Sequence, residues 1–120
     1  MKLKLLEQNY AVCRCAALGE AGFAGEFVSL TKTEDEVSLV CEERYAPSQS
    51  IAEKGWRAMR ICGTIEFSEV GVLAKLTSVL ADANISIFAV STYDTDYVLI
   101  KAERLEAGRR ALTDAGYIFE

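Results

Sequence analysis

The sequence contains no histidine, the side chain that most often acts as a general base near neutral pH. It also contains no G-x-S-x-G motif of a nucleophilic serine, and neither G-x-x-x-x-G-K-[ST] nor G-x-G-x-x-G, the motifs that bind nucleotide phosphates. Carboxylates are plentiful but scattered, and we interpret Glu34-Asp35-Glu36 as a solvated hairpin tip. The sequence therefore does not support catalysis, and we expect no enzyme and no cofactor.

Long apolar runs and basic runs are also missing. No apolar stretch approaches the roughly 20 residues that span a bilayer, and the first residues lack the apolar core of a signal peptide. The net charge is −5, which disfavours nucleic acid as a partner. We therefore expect a cytoplasmic protein that binds neither nucleic acid nor membranes.

The four cysteines, Cys13, Cys15, Cys41 and Cys62, are spaced without a C-x-x-C motif. With no histidine as well, a zinc site is poorly supported, so we predict no metal. We interpret Cys13 and Cys15 as lying on opposite faces of a strand, where they would not bridge each other easily. Buried free thiols are the prediction.

The second half of the chain has the pattern of strand, helix, strand, strand, helix, strand. Residues 60–67 are rich in β-forming residues, and the helix after them carries apolar residues at i, i+3, i+4 and i+7 and ends near Asn84. Strands at residues 85–91 and 97–102 enclose a polar hairpin connection, and a helix over residues 103–115 precedes a last strand at 117–119. This order predicts the ferredoxin-like α+β plan.

The first half is a weaker copy of the second. An ungapped shift of 61 residues gives seven identities over the 33 residues from 27 to 59, more than the one in about seventeen expected from average composition. The identities pair Phe27, Thr31, Asp35, Val37, Glu42, Ala46 and Gly55 with Phe88, Thr92, Asp96, Val98, Glu103, Ala107 and Gly116. We predict two lobes, a degenerate one at residues 1–59 and a regular one at 60–120.

Within the first lobe, we predict separate strands at residues 1–6 and 10–16, further strands at 27–31 and 37–41, and a short helical stretch from Ala46 to Gly55. A glycine-rich loop at residues 18–26 replaces the first helix of the second lobe. No linker rich in proline or serine separates the lobes.

A candidate binding site lies at the start of the first helix in the second lobe. Its free N–H groups and positive dipole end accept a carboxylate or phosphate, and Gly71 allows close approach to the backbone. Hydroxyls, an aromatic ring and an anion follow at the next hairpin. The candidate residues are Glu69, Val70, Gly71, Val72, Ser91, Thr92, Tyr93 and Asp96.

This set suits a zwitterion, whose carboxylate would meet the N–H groups while its ammonium meets Asp96 or Glu69. A helix capped by Ser68 beside an ordinary hairpin would explain the same residues without any ligand.

The run GVLAKLTSVLADANISIFAVSTYDTDYVLIK, residues 71–101, resembles an ACT domain, the small regulatory βαββαβ module attached to aspartate kinases and other amino-acid enzymes. Its S-T-Y-D-T-D-Y stretch is similar to stand-alone tandem-ACT proteins and to the CASTOR-type arginine sensors. The resemblance is strong from residue 60 onward and weaker over residues 10–59. It departs from the aspartate-kinase turn at Val70, where a proline often precedes the glycine.

The resemblance implies two ferredoxin-like ACT lobes in tandem, the first degenerate, with antiparallel sheets. It also implies a ligand site at a lobe interface, formed by the turn at Glu69–Val72 and by Thr92, Tyr93 and Asp96.

The resulting expectation is a small cytoplasmic amino-acid-binding sensor without catalytic activity, whose ligand stabilises one packing of the lobes for a protein partner to read. We also expect a homodimer, because unpaired sheet edges are a liability. The alternative is a structural or adaptor ACT protein that oligomerises or binds a partner without a metabolite ligand.

Overall fold

A computed structural model describes residues 1–66 and 68–120. These residues form β-strands and two α-helices, and the α+β class predicted from the sequence is confirmed. The bounds are β1 Lys2–Cys15, β2 Ser29–Lys32, β3 Val37–Glu42, β4 Ile51–Ile61, α1 Val72–Asp82, β5 Phe88–Ser91, β6 Asp96–Lys101, α2 Leu105–Asp114 and β7 Ile118–Phe119. Neither helix is long and apolar enough to cross a membrane.

The chain folds into two compact units. The N-terminal unit is Gln8–Trp56, and the C-terminal unit combines Met1–Glu7 with Arg57–Glu120. The first seven residues thus belong with the C-terminal half of the sequence, because β7 pairs in parallel with the beginning of β1. Strands β1 and β4 each contain residues assigned to both units.

The C-terminal unit follows the predicted βαββαβ order, from the end of β4 to β7. Strand β6 lies between β4 and β5, and the β5–β6 pair is antiparallel, with Ser91 opposite Asp96. Apolar side chains of both helices pack against the strands, among them Leu80 of α1 and Leu112 of α2, which are fully buried. Gly108 lets α2 approach the sheet, since a Cβ there would lie 2.7 Å from Ile100 Cδ1.

The two ends of α1 differ from each other in how well the sequence predicted them. At the C-terminal end, Asn84 has a φ of 60°, as expected of a residue that ends a helix. At the N-terminal end, Gly71 is the N-cap residue, with a φ of 82° and no side-chain cap. The interpretation of Ser68 as N-cap is therefore wrong, because a left-handed glycine makes the turn instead.

The strand predicted at residues 60–67 belongs to a longer strand that ends earlier. Strand β4 stops at Ile61, and Gly63 with a φ of 84° turns the chain away. Phe67, the last residue of the predicted strand, lies outside the described residues. Residues 62–66 therefore lie outside any strand.

The N-terminal unit is a small antiparallel assembly in which β3 pairs with both β1 and β2. One cluster of its core consists of Leu39 and the small side chains of Ala11, Cys13, Cys15 and Cys41. Tyr10 and Phe27 are also buried, with ring centroids 5.9 Å apart. Two predictions for the first half of the chain were wrong: the strands at 1–6 and 10–16 are one continuous strand, and residues 51–55 are extended, not helical. The helix prediction relied on Pro47, but Ser50 closes a single turn onto the Pro47 carbonyl, and β4 begins next to it.

The predicted faces of two cysteines were also wrong. Cys13 and Cys15 both pack in the core of the N-terminal unit, because side chains two residues apart on a strand point to the same face. Cys13, Cys15 and Cys41 are buried free thiols, as predicted, whereas Cys62 is only half-buried.

Part of the order of strands and turns recurs along the chain at an offset of 59 residues. Adding 59 to the bounds of β2, β3 and the 3₁₀ turn Glu43–Tyr45 gives those of β5, β6 and the turn Ala102–Arg104. The sequence alignment at 61 residues was two positions out of register. A shift of two leaves every strand side chain on the same face, so the apolar pattern alone does not detect it.

Candidate functional site

The hairpin between β5 and β6 borders a cavity of about 200 Å³ that we call the acidic pocket. Five of the eight residues predicted for the site lie here. The pocket is lined by Ile65, Glu66, Glu69, Ser91, Thr92, Tyr93, Thr95 and Asp96.

Two threonines fix the shape of this hairpin. Thr92 Oγ1 donates to the Thr95 carbonyl at 3.1 Å and accepts from the Thr95 N–H at 3.2 Å. The Thr95 hydroxyl in turn donates to the Ile61 carbonyl at 2.7 Å, and Thr95 is one of the few buried polar residues. The hairpin is therefore tied both across its own turn and to the end of β4.

A further set of hydrogen bonds holds the loop before α1 against the hairpin. The Ile65 N–H donates to the Asp94 carbonyl at 2.7 Å. The Glu66 N–H donates to the Glu69 carboxylate at 3.1 Å, and the Glu69 N–H donates to the Glu66 carbonyl at 2.9 Å. These bonds place the Glu69 side chain on the pocket formed by the loop and the hairpin.

Asp96 is the half-buried carboxylate of the pocket. It accepts the Ser91 hydroxyl at 2.5 Å, across the β5–β6 pair in which the two residues face each other. Among the described residues that line the pocket, Asp96, Glu66 and Glu69 carry carboxylates and none is basic. Several acceptors of one sign, surrounded by hydroxyls, favour a ligand that carries a positive group with N–H donors.

The remaining three predicted residues, Val70, Gly71 and Val72, line a different cavity of about 220 Å³ at the start of α1. We call it the helix-start cavity. Its other lining residues are Met1, Lys75, Ala115, Gly116 and Tyr117. The structure thus divides the predicted site, since Glu69 lies on the acidic pocket and the next three residues lie on its neighbour.

Sequence reasoning missed three residues of the acidic pocket, Ile65, Glu66 and Thr95. Thr95 could have been found from its spacing, because a threonine three residues after Thr92 is placed to complete a hydrogen-bonded turn. Ile65 and Glu66 fell within the strand predicted at residues 60–67, which concealed their position in a loop. Within residues 1–66 and 68–120, no group of three or more acidic or cysteine side chains is arranged to hold a metal ion.

Comparison with protein families identifies the fold. A family model described as the ACT domain matches residues 51–114, which is more than half of the chain. A second model, described as an N-terminal domain, matches residues 8–49. The chain belongs to the ACT domain family, and the resemblance found in the sequence is confirmed.

Solved structures agree with this assignment. Protein Atu0741 from Agrobacterium tumefaciens is 33% identical with a TM-score of 0.87, over 99% of this chain and 91% of that one. The ligand-free regulatory subunit of aspartate kinase from Thermus thermophilus has a TM-score of 0.69 at 16% identity, over 95% of this chain and 96% of that one. At that identity, the second comparison shows a shared fold.

A curated human relative is similar over part of its length. Protein CASTOR3P of Homo sapiens is 34% identical over 88 residues, which are 62% of this chain and 54% of that protein. The chain therefore spans about half the length of the curated relative that it matches.

Proposed function

We propose that this protein is a small cytoplasmic amino-acid-binding sensor without catalytic activity, made of tandem ACT lobes at residues 1–59 and 60–120. The observation that carries the proposal is the acidic pocket. It brings Glu66, Glu69 and Asp96 together with hydroxyl side chains on a hairpin that is fixed by its own hydrogen bonds.

The acidic pocket supplies the contacts for the ammonium group of the ligand. An ammonium has three donors and no acceptor, so it needs several oxygen atoms around it. Glu69 and Asp96 provide charged acceptors, and Thr92 and Tyr93, which carry hydroxyls, line the same cavity. A charge-assisted N–H···O bond is about twice as strong as a neutral one, so the ammonium is the main source of affinity in this proposal.

A fixed hairpin favours binding because little backbone ordering remains to be done when the ligand arrives. Thr92 and Thr95 close the turn, and the Ile65–Asp94 bond holds the opposite wall. The proposed contacts are therefore Glu69, Ser91, Thr92, Tyr93 and Asp96, joined by Glu66. Of the other predicted contacts, Val70, Gly71 and Val72 line the neighbouring cavity.

Thermal unfolding against the twenty amino acids tests the proposal. A ligand present at about 100 times its dissociation constant adds about 2.7 kcal/mol, which raises the midpoint by several degrees in a domain of this size. The N-acetyl derivative of any amino acid that stabilises the protein is the matched control, because it lacks the ammonium and should give no shift. A flat result across the panel would instead favour an adaptor that binds no metabolite.

The regulatory part of the proposal is that ligand binding stabilises one packing of the lobes, which a protein partner then reads. We also propose a homodimer. Strand β5 pairs only with β6, and strand β2 pairs only with β3, so β5 and β2 are the candidate strands for pairing between protomers. Light scattering at tens of micromolar that shows a monomer with and without ligand would contradict the dimer.

A further inference from the structure

A loop of the N-terminal unit, residues 16–26, runs from the end of β1 to the buried Phe27, and we call it the strap. Its residues are exposed except for Glu20 and Ala21, which are half-buried. The bonds from the N–H groups of Glu20 and Ala21 return to carbonyls of the strap itself. A segment with few buried contacts and local hydrogen bonds opens at a lower free energy than the whole protein.

The strap lies over the thiols of the N-terminal unit. Ala21 packs against the cluster that contains Cys13, Cys15 and Cys41, and β1 leads directly from Cys15 into the strap. Each of the three thiols is at most 6% exposed. Burial raises the pKa of Cys15, and so do the neighbouring Cys13 and Glu20. The Glu20 carboxylate is therefore close to Cys15, and the strap is part of what covers this thiol.

Glu42 holds the C-terminal end of the strap closed. It is only 2% exposed, and its carboxylate accepts from the Glu26 N–H at 2.7 Å. Gly25 makes this contact possible, since a Cβ at that position would lie 2.5 Å from Glu42 Oε2 and the residue has a φ of 107°. The closed strap therefore needs both the carboxylate and the glycine.

Glu20 acts on the strap in the opposite direction. Its Oε2 atom is enclosed and has no hydrogen-bond partner within the described residues. An enclosed acceptor without a donor destabilises the state that encloses it. Opening of the strap returns this oxygen to water, so Glu20 favours the open form while Glu42 favours the closed one.

We propose that the strap opens as a unit while the strands beneath it stay folded, and that it thereby controls access to the cysteine cluster, beginning with Cys15. The closed form depends on the contact of Glu42 with the Glu26 N–H, and the enclosed oxygen of Glu20 supplies the tendency to open. This device belongs to the N-terminal unit and does not depend on the proposed amino-acid site.

Alkylation of the full chain by iodoacetamide near pH 8, followed by mass spectrometry, tests the proposal with Cys15 as the reporter. Where the rate is proportional to reagent concentration, it measures the open population. Gly25→Ala should raise the rate about tenfold, because a Cβ separates the strap from Glu42. Gly22→Ala is the matched control on the same strap, since an added Cβ there meets no atom within 4 Å and should change nothing. Equal rates in the two variants would overturn the proposal.

Variants of the two carboxylates should change the rate in opposite directions. Glu42→Ala should raise it about ten- to a hundredfold, because the Glu26 N–H loses its buried acceptor. Glu20→Ala should lower it several-fold, because the closed strap no longer encloses an unpaired oxygen. A Glu20→Ala variant that is alkylated at Cys15 as fast as the unmodified protein, or faster, would contradict the proposal.

Two further measurements separate opening of the strap from unfolding. Leu80→Ala weakens the core of the C-terminal unit and should leave the rate at Cys15 unchanged, whereas labelling through global unfolding would rise about a hundredfold. In the unmodified protein, the opening constant from Cys15 alkylation should exceed that from amide hydrogen exchange of Leu39 and Val40 by at least tenfold, because β3 pairs on both sides. Equal constants, or a hundredfold rise in Leu80→Ala, would show that the strap does not open by itself.

Discussion

The β2–β3 hairpin and the β5–β6 hairpin are the same element in two settings, 59 residues apart. In both, a threonine closes the turn: Thr33 N–H donates to the Glu36 carbonyl at 2.9 Å, and Thr92 N–H donates to the Thr95 carbonyl at 2.8 Å. The side chains around that turn differ. Lys32, Glu34, Glu36 and Val37 stand where the C-terminal unit has Ser91, Tyr93, Thr95 and Asp96.

This difference separates what the fold requires from what the site requires. The hydrogen-bonded turn occurs in both hairpins, so it belongs to the fold. The combination of hydroxyls with a half-buried aspartate occurs in one of the two, so the fold does not explain it. The acidic pocket therefore needs a reason of its own, and the ligand binding that we propose would supply one.

The two units also differ in what covers their strands. In the C-terminal unit, α1 and α2 bury large apolar side chains. In the N-terminal unit, the buried Glu42 carboxylate accepts from the Glu26 N–H at 2.7 Å and from Arg44 at 3.0 Å. It thereby anchors the loop that replaces the first helix, with Gly25 directly against it. One unit is stabilised by helix packing, and the other relies partly on a polar anchor.

The largest effect that we expect comes from the helix-covered core. Leu80→Ala should lower the free energy of unfolding by about 3 kcal/mol, because Leu80 is fully buried on α1 and its removal leaves a cavity. Urea denaturation measures this change. Leu18→Ala is the control: Leu18 is 49% exposed in the N-terminal unit, so we expect a change within about 0.5 kcal/mol. Similar losses in the two variants would contradict the assigned core.

The polar anchor gives the next largest effect. Glu42→Ala should cost about 2 kcal/mol, because the Glu26 N–H loses a buried acceptor. The ion pair with Arg44 adds little, since the Arg44 side chain is 60% exposed. Urea denaturation again measures the loss, and Glu34→Ala at the exposed hairpin tip is the control that should change nothing measurable. A neutral Glu42→Ala would mean that the loop is not anchored through this carboxylate.

The comparison of the two hairpins predicts where ligand affinity resides. Asp96→Ala should weaken binding of any amino acid found in the unfolding screen by about ten- to a hundredfold, because one charge-assisted hydrogen bond is lost. Asp35→Ala in the other hairpin should leave affinity unchanged. The structural counterpart of Asp96 is Val37, and Asp35 corresponds to Asp94. Calorimetric titration that finds equal losses in both variants would place the site elsewhere.

Valine substitutions at three threonines test the register of the repeat. Thr33→Val and Thr92→Val should each cost about 0.5–1 kcal/mol, because each removes the same pair of turn hydrogen bonds. Thr33→Val also removes the bond from the Asp35 N–H, so its loss should be the larger of the two. Thr31→Val should be neutral, since Thr31 is an exposed strand residue and valine is a good strand former. If Thr31 rather than Thr33 behaved like Thr92, the offset of 61 residues would be correct and the structural offset wrong.

The sequence predicted those elements best whose signal is local, within a few neighbouring residues. The stripe of apolar residues predicted helix α1, and Asn84 predicted its C-terminal end, because both signals are local. The turn at Gly71 was found, but the ligand-free alternative placed Ser68 at the N-cap, because a preference for serine at N-caps does not show which residue occupies that position. The register of the repeat was missed, since strand periodicity is unchanged by a shift of two residues.

The candidate site was predicted as a set of residues but not as a shape. Glu69, Ser91, Thr92, Tyr93 and Asp96 do meet around one pocket. The division between this pocket and the helix-start cavity depends on where the loop after β4 turns and on the packing of Tyr117 near α1. Both are consequences of long-range packing, which periodicity and motif spacing do not encode.

The last effect that we expect concerns the thiols, and it too separates the two units. In the N-terminal unit, burial and the neighbouring Cys13 raise the pKa of Cys41 to about 12. Its thiol stays neutral in the folded protein, whereas in the unfolded chain it ionises near pH 8.5. The contribution of Cys41 to stability is therefore intact below about pH 8.5 and decreases as the pH rises toward 12. Urea denaturation between pH 7 and pH 10 should show no change at first and then a gradual loss that is smaller in Cys41→Ala.

Alkylation of the native protein near pH 8 checks the same burial by a different route. Cys13, Cys15 and Cys41 should react slowly, because each is at most 6% exposed. Cys62 in the C-terminal unit is half-buried and should react first, although burial and Glu120 raise the pKa of its thiol as well. Cys62→Ser should remove the fast phase and leave the slow ones. Rapid labelling of two or more thiols in the native protein would overturn the burial of these cysteines, and with it the side of β1 that faces the core of the N-terminal unit.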